Sequence, residues 1–247
     1  MSRLRSAVAV SWSSSMAFAT VGTAVTTVLI VPMLSVAFAV MLGADLAAPD
    51  LARTGYAAAI VSWIVGIMSG IVSAVATDRT LGIYALVHQY RLIDPAYWLA
   101  KAAVPSVLSF LTGATSIGVV FVLSGDTALL ARVVVLALLA IIVGIGLGIA
   151  AAGVGVALPD PYLGATILAT FLPLFTGVVV PLDVAPVWLR ALSFGVPGAG
   201  LVSSVSGIEA IAVLRDFAVT VVYIAVGLAM TRRACALLRR GRHFHTL

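Results

Sequence analysis

The side chains that could take part in catalysis are few, and they form no recognised catalytic pattern. The histidines are His88, His243 and His245, and neither HExxH nor GxSxG occurs in the sequence. A zinc peptidase and a serine hydrolase of the usual kinds are therefore not indicated. The single cysteine, Cys235, excludes an intrachain disulfide. We predict that the chain is not an enzyme, has no catalytic residues and holds no metal ion.

A nucleotide-binding loop is also missing from the sequence. Lys101, the only lysine, follows no glycine-rich loop, and the pattern GxxxxGK followed by Ser or Thr is absent. Gly144, Gly146 and Gly148 alternate in an apolar run, but no strand precedes them. Small residues at such spacing instead allow helices to approach closely in a membrane. We therefore predict no cofactor in this chain and close helix packing at these glycines.

The composition indicates a protein surrounded by lipid. Of the 247 residues, 62% are apolar and 9% are charged, whereas soluble domains carry about 25% charged residues. A formal charge of +5 would suggest nucleic acid as a partner of a soluble protein. Here the basic residues collect at the ends of apolar runs. The predicted surroundings are therefore a lipid bilayer, with no nucleic acid partner.

Long uncharged runs predict about six transmembrane helices in one all-α, polytopic domain, residues 1–247. A bilayer core of about 30 Å requires about 20 apolar residues in a helix. The predicted spans are residues 17–42, 55–77, 102–124, 133–158, 163–182 and 208–238. The sixth span carries Arg215 and Asp216 near one end and Arg232 and Arg233 near the other. We expect these charges to lie at the two membrane interfaces.

The positions of the basic residues predict the orientation. With the N-terminus inside, ten of them fall in inner segments: Arg3, Arg5, Arg79, Arg91, Lys101, Arg232, Arg233, Arg239, Arg240 and Arg242. Four fall in outer segments: Arg53, Arg132, Arg190 and Arg215. Both termini are thus expected in the cytoplasm. The first apolar run is longer than a signal-peptide core, so we interpret it as a retained helix. The composition, rich in Ala, Val, Gly and Arg, suggests a bacterial inner membrane.

The longest inner loop runs from Asp78 to Lys101. Leu81, Tyr84 and Val87 or His88 recur at helical spacing, and Asp78 stands where a carboxylate suits the start of a helix. The pattern predicts a short amphipathic helix on the cytoplasmic surface. The alternative is an ordinary interfacial loop whose aromatic residues form a membrane-interface belt, namely Tyr90, Tyr97 and Trp98.

Prolines interrupt the apolar sequence around the end of the fifth span. They cost backbone hydrogen bonds, so the chain must be kinked or unwound there. The segment from Val184 to Gly207 is apolar but broken by Pro186, Pro197 and several glycines. We interpret it as an outer re-entrant or interfacial hairpin between spans five and six.

Together these two segments resemble the ABC-2 type permeases, the membrane subunits of ATP-binding-cassette exporters. Asp78, Arg79, Gly82 and Lys101 match an acidic-basic pair, a glycine and a lysine that frame the coupling helix of that family. The family's outer proline pattern is matched by Pro173, Thr176, Gly177, Pro181, Pro186, Trp188 and Pro197. The amphipathic elbow helix that precedes the first span in the family can only correspond to Arg3–Ser15.

The resemblance implies a coupling loop that contacts a separate ATPase. Two copies of an ABC ATPase subunit would bind ATP and Mg²⁺, and two permease subunits would pair as a homodimer or a heterodimer. In this interpretation Asp78 and Arg79 bind or position the coupling helix, Gly82 opens it, and its packing face comprises Leu81, Tyr84 and Leu86.

The resemblance further implies outward transport along a path between two permeases, lined by spans two and five. Candidate lining residues are Trp63, Met68, Phe171 and Phe175. The middles of the spans contain no clear ionisable residue, which favours an apolar or amphiphilic cargo such as a drug, a lipid-like molecule or a peptide. The alternative function is a six-helix ion-coupled secondary transporter, which normally has ionisable or unwound sites near the midplane.

Overall fold

The computed structural model describes residues 20–239 together with Val8 and Trp12, and this part of the chain contains helices and turns but no strand. The first helical segment is composed of α1 (Val21–Val25), a π-helical stretch (Thr26–Ile30) and α2 (Val31–Asp45). The others are α3 (Leu51–Thr80), α4 (Ile83–Tyr90), α5 (Pro95–Ser124), α6 (Thr127–Gly155), α7 (Leu163–Phe175), α8 (Val187–Ser193), α9 (Ala199–Ser203) and α10 (Ala210–Arg239).

Five helical segments are long and apolar enough to cross a membrane, and α7 is a shorter apolar helix. The five are the first segment, Val21–Asp45, and the helices α3, α5, α6 and α10. The predicted all-α, polytopic fold is confirmed. The proposed elbow Arg3–Ser15, the start of the first predicted span at Ala17 and the tail histidines His243 and His245 lie outside the described residues.

Helix α3 forms the centre of the bundle and packs against α2, α5 and α6. Its Tyr56, Ile60 and Ile64 are completely buried. Glycines on α6 make the close approach possible: a Cβ on Gly148 would lie 2.7 Å from Ile71 of α3, and one on Gly146 would overlap Thr220 of α10. The close packing predicted for the glycine run is therefore confirmed.

Aspartates cap the starts of three long helices, which places those starts earlier than predicted. Asp50 accepts a hydrogen bond from the Arg53 amide, Asp94 from the Ala96 amide, and Asp126 from the Ala128 and Leu129 amides. The spans predicted from 55, 102 and 133 therefore begin at 51, 95 and 127. The prediction stopped at charged residues, whereas Arg53, Lys101 and Arg132 lie inside the helices near their ends.

The fifth predicted span, 163–182, is helical only as far as Phe175. Thr176 and Gly177 end the helix, and Gly177 has a φ of +72°, a left-handed conformation that suits glycine. Arg79 contacts backbone just before α7, and Arg53 contacts backbone just after it. Since those arginines lie about 40 Å apart along α3, the chain crosses most of the bundle here despite the short helix.

The predicted hairpin between spans five and six consists of two short helices, α8 and α9, joined by turns. Pro186 is the N-cap of α8, and Pro197 precedes Gly198, the N-cap of α9. Helix α10 then begins at Ala210, in agreement with the long sixth span drawn from residue 208.

Candidate coupling site

A tight turn joins α3 to α4 at one end of the bundle, which we call the α4 end. Helix α3 continues to Thr80, and Gly82 then takes a φ of +73°. Helix α4 begins at Ile83, so the predicted short helix is present. The expectation that Asp78 starts it was wrong, because Asp78 and Arg79 lie in the last turn of α3.

Asp78 forms a buried ion pair with Lys101 of α5. The Lys101 Nζ atom lies 2.9 Å from Oδ1 and 2.8 Å from Oδ2 of Asp78, and both side chains are buried. Nζ also lies 5.7 Å from the centre of the Tyr97 ring. A buried ion pair of this kind fixes relative position, because removing either partner leaves an uncompensated charge. It therefore joins α3 to the first turns of α5.

Arg79 binds the turn between α6 and α7. Its Nη1 atom donates to the carbonyl oxygens of Gly155, at 3.0 Å, and of Leu158, at 2.6 Å. These carbonyls lie at the C-terminal end of α6, where a cation is favourable because the last carbonyls lack helical partners. Asp78 and Arg79 thus position the end of α3 against α5, the end of α6 and the turn after α6.

The inner face of α4 is aromatic. The ring centres of Tyr84 and His88 lie 4.1 Å apart in a stacked arrangement, and Tyr97 meets His88 edge to face at 5.1 Å. The Tyr84 hydroxyl lies 3.9 Å from the Cys235 sulfur of α10. Burial raises the pKa of Tyr84 well above its ordinary value and lowers the pKa of His88. The cluster therefore favours a neutral His88 and holds α4 against α10.

The outer face of α4 and the turn before it are apolar and exposed. Leu81 is 67% exposed, Leu86 60% and Ile83 41%. The predicted packing face is therefore divided, since Tyr84 packs within the chain while Leu81 and Leu86 do not. The aromatic residues Tyr97 and Trp98 are buried, so they do not form the lipid-facing belt of the alternative interpretation.

The opposite end of α3 is hydrogen-bonded to the outer proline segment. Arg53 Nη1 donates to the carbonyl oxygens of Gly177, at 2.8 Å, and Val178, at 2.9 Å. In the same region the buried Asp216 of α10 accepts hydrogen bonds from the Gly198 and Leu201 amides, at 3.0 and 2.9 Å.

The residues of the predicted outer motif are not brought together in one cluster. Pro173 lies inside α7, Gly177 and Pro181 lie in the following turns, and Pro186 and Trp188 begin α8. Trp188 is exposed. Pro197 lies next to the α9 start that Asp216 caps.

A cavity of about 1000 Å³ lies between α2, α3, α5 and α7. Of the candidate path residues, Trp63 lines it and packs edge to face against Phe110 of α5. Met68 is completely buried in the core, away from the cavity. Phe171 and Phe175 stack on each other with ring centres 5.9 Å apart and do not line it. The structure therefore does not assemble the four residues into one surface.

Several contacts at these sites were not predicted from the sequence. Lys101 was noted as a family match and as a basic residue of an inner segment, Arg53 was placed in an outer segment, and Asp216 was placed at an interface. Their partners are backbone groups or distant side chains, so no local pattern reveals them. Within residues 20–239, no group of three or more His, Cys, Asp or Glu side chains is placed to hold a metal ion.

The comparisons with known proteins agree with this architecture. A family model described as ABC-2 type transporter matches residues 15–210, which include the coupling site, α3 to α7 and both short helices. No curated protein and no solved structure matches the chain. The matched region is most of the sequence, and the five long apolar helices fit a multi-pass transport protein. The chain therefore belongs to the ABC-2 type transporter family, as a membrane-spanning permease.

Proposed function

We propose that the chain is the permease subunit of an ABC exporter and that a separate ATPase subunit drives it. The observation that carries the proposal is the exposed apolar surface of α4 and the turn before it, formed by Leu81, Ile83 and Leu86. On a loop outside the spans, such a face favours contact with another protein. Two ATPase copies would bind ATP and Mg²⁺ and serve two paired permeases, alike or different.

The contacts that hold α4 against the other helices support a role in transmitting force. Its aromatic face is fixed to α10 and α5, and the ion pair of Asp78 joins α3 to α5. Arg79 and Arg53 then connect the two ends of α3 to the turns on either side of α7. A displacement of α4 by the ATPase would therefore move α3 as a rigid element, and with it both ends of the α7 segment. This is the motion that alternating access requires.

The proposed direction is outward and the proposed cargo is apolar or amphiphilic. The buried ionisable residues of the described chain lie near helix ends, and Asp78, Lys101, Arg53 and Asp216 all have partners there. A proton relay across the membrane has no support from this arrangement. We place the protein in a bacterial inner membrane with both termini in the cytoplasm, following the distribution of arginine and lysine.

The test is co-expression with an ABC ATPase subunit of the source organism, followed by co-purification and ATP turnover in lipid. Leu81→Gln with Leu86→Gln should reduce both by about tenfold, since buried apolar contacts stabilise such an interface. Leu123→Gln, an equally exposed leucine at the far end of α5, is the matched control and should behave as wild type. Normal association of the double variant would refute docking on this face. Failure of wild type to bind any ATPase would favour ion-driven transport.

A further inference from the structure

The cavity beside α3 extends through the depth of the membrane. Along α3 its lining residues run from Ala58 to Asp78. This distance is about 30 Å at 1.5 Å per residue, which equals the hydrocarbon thickness of a bilayer. The walls come from α2, α5 and α7. The cavity is therefore a groove along the helix axis, and not a closed chamber at one depth.

Hydroxyl groups line this groove most densely on α3 and α5, and the first helical segment adds Thr27 and Ser35. Helix α3 contributes one row at helical spacing: Ser62, Ser69, Ser73 and Thr77. Helix α5 contributes a second row: Ser109, Thr112 and Ser116. At Ser69 a smaller adjoining cavity of about 340 Å³ adds Thr166 and Thr170 of α7, next to Tyr162, which lines both cavities. Hydroxyls therefore continue through the middle of the membrane.

Many of these hydroxyls keep hydrogen-bonding capacity. Thr77 and Thr112 donate to backbone carbonyls of their own helices, at 2.9 and 3.0 Å, so their oxygen atoms can still accept. Ser62, Ser69 and Ser73 have no side-chain hydrogen bond within the described part of the chain. The Trp63 indole N–H of the same wall is buried and also lacks a partner there. Pure hydrocarbon would leave these groups unsatisfied at a cost.

The charge of the groove is balanced. Asp78 and Lys101, which line its α4 end, neutralise each other. No other charged residue lines the groove in the described chain. A neutral or zwitterionic polar group therefore suits this surface better than a group with a net charge, which would need an opposite charge at mid-membrane.

We propose that the groove carries the zwitterionic headgroup of a phospholipid while the acyl chains remain in the surrounding bilayer. The inference rests on the proposed export function and names its substrate class. The hydroxyls of α3 and α5 replace water around the headgroup during its passage. The α2 wall is apolar except for Ser35, and in this proposal its Val31, Phe38 and Leu42 contact the acyl chains.

The experiment uses the full chain in phosphatidylcholine liposomes with two photoreactive phosphatidylcholines, one carrying a diazirine on the headgroup and one at mid-chain. Labelled peptides are identified by mass spectrometry. We expect the headgroup probe to label residues 62–73 and 109–116. Ser69→Leu, which fills the groove, and Ser69→Ala, which keeps its space, should each lower this labelling about fivefold. Thr115→Leu removes a hydroxyl of α5 that does not line the groove and should have no effect.

Two results would overturn the proposal. If only the mid-chain probe labels the middle of α3, and the headgroup probe labels helix ends, the groove is an ordinary lipid-facing surface. If Ser69→Cys instead forms a disulfide with a second copy of the chain under mild oxidation, the groove is a subunit interface. The assay requires no ATPase, whereas the test of coupling measures ATPase association and ATP turnover. A failure of the headgroup labelling is therefore distinguishable from a failure of the proposed ATPase coupling.

Discussion

The ion pair of Asp78 and Lys101 is the residue-scale contact whose loss should be most damaging. Asp78→Asn leaves a buried lysine without its counter-charge, which should cost about 3 kcal/mol of stability. Replacing both residues, as Asp78→Asn with Lys101→Met, removes the unpaired charge and should recover much of the loss. The check is the apparent Tm of each variant in detergent. If the single variant is as stable as wild type, the pair does not hold α3 to α5.

His88 should make the packing of α4 sensitive to acid. Burial lowers its pKa from the ordinary value of 6.5, against the opposing effects of the Tyr84 carbonyl, Asp94 and Asp78. The folded state therefore binds the proton less readily than the unfolded state, so stability is complete above about pH 6.5 and falls on acidification through the lowered pKa. Tyr84, whose pKa burial raises, stays neutral in this range.

Hydrogen exchange of residues 83–90, corrected for intrinsic rates, should be faster at about pH 5 than at about pH 7.5. His88→Phe keeps an aromatic ring without a titrating group and should remove the difference. An unchanged difference in that variant would assign the effect to another group.

At the residue scale, the sequence indicated which polar residues lie near the coupling site better than it indicated the contacts that they make. Asp78, Arg79 and Lys101, which the sequence singled out, lie at the α4 end, but Asp78 was assigned to the start of α4 and lies in the last turn of α3. The reason is that the ion pair depends on the turn at Gly82, which reverses the chain between α3 and α5. Leu81 and Tyr84 share a spacing that predicts one face, yet the turn places them on opposite sides.

At the element scale, the contact of α6 with α10 depends on glycine. A Cβ on Gly153 would overlap the backbone of Gly227, which cannot move aside as a side chain can. Gly153→Ala should therefore lower stability by about 1–3 kcal/mol, although alanine is the better helix former. Gly118→Ala on α5 meets nothing within 4 Å and should be neutral or stabilising. The comparison of apparent Tm values checks this, and an equal response at both positions would contradict it.

The elements themselves could largely be predicted, because long apolar runs have few alternatives in a membrane. The all-helical fold and a hairpin after span five follow from composition and proline placement, and the short helix after span two follows from the helical spacing of its apolar residues. The ends of the helices could not be predicted in this way, because aspartate caps and contacts with carbonyl groups allow charged residues to lie inside a helix. The length of α7 depended on Gly177 and on Arg53, which lies far away in sequence.

At the scale of the whole molecule, α3 links the two candidate sites. Its α4 end carries the coupling site, its middle faces the hydroxyl-lined groove, and its other end binds the turn after α7 through Arg53. Such an arrangement would place the proposed ATPase contact and the proposed transport path on one element. No sequence pattern shows this, since the connection consists of single contacts between residues distant in the chain.

The central claim, that α4 is the contact for an ATPase subunit, is tested most directly by site-specific crosslinking in membranes. Leu86→Cys and Gly207→Cys are each labelled with a photoreactive maleimide in the presence of the co-expressed ATPase, with wild type, whose Cys235 is buried, as background. We expect a crosslinked ATPase for Leu86→Cys alone, because Gly207 lies beside the hairpin at the opposite end of the bundle. A crosslink through Gly207→Cys alone, or an ATP-hydrolysing complex with no crosslink at Leu86→Cys, would contradict it.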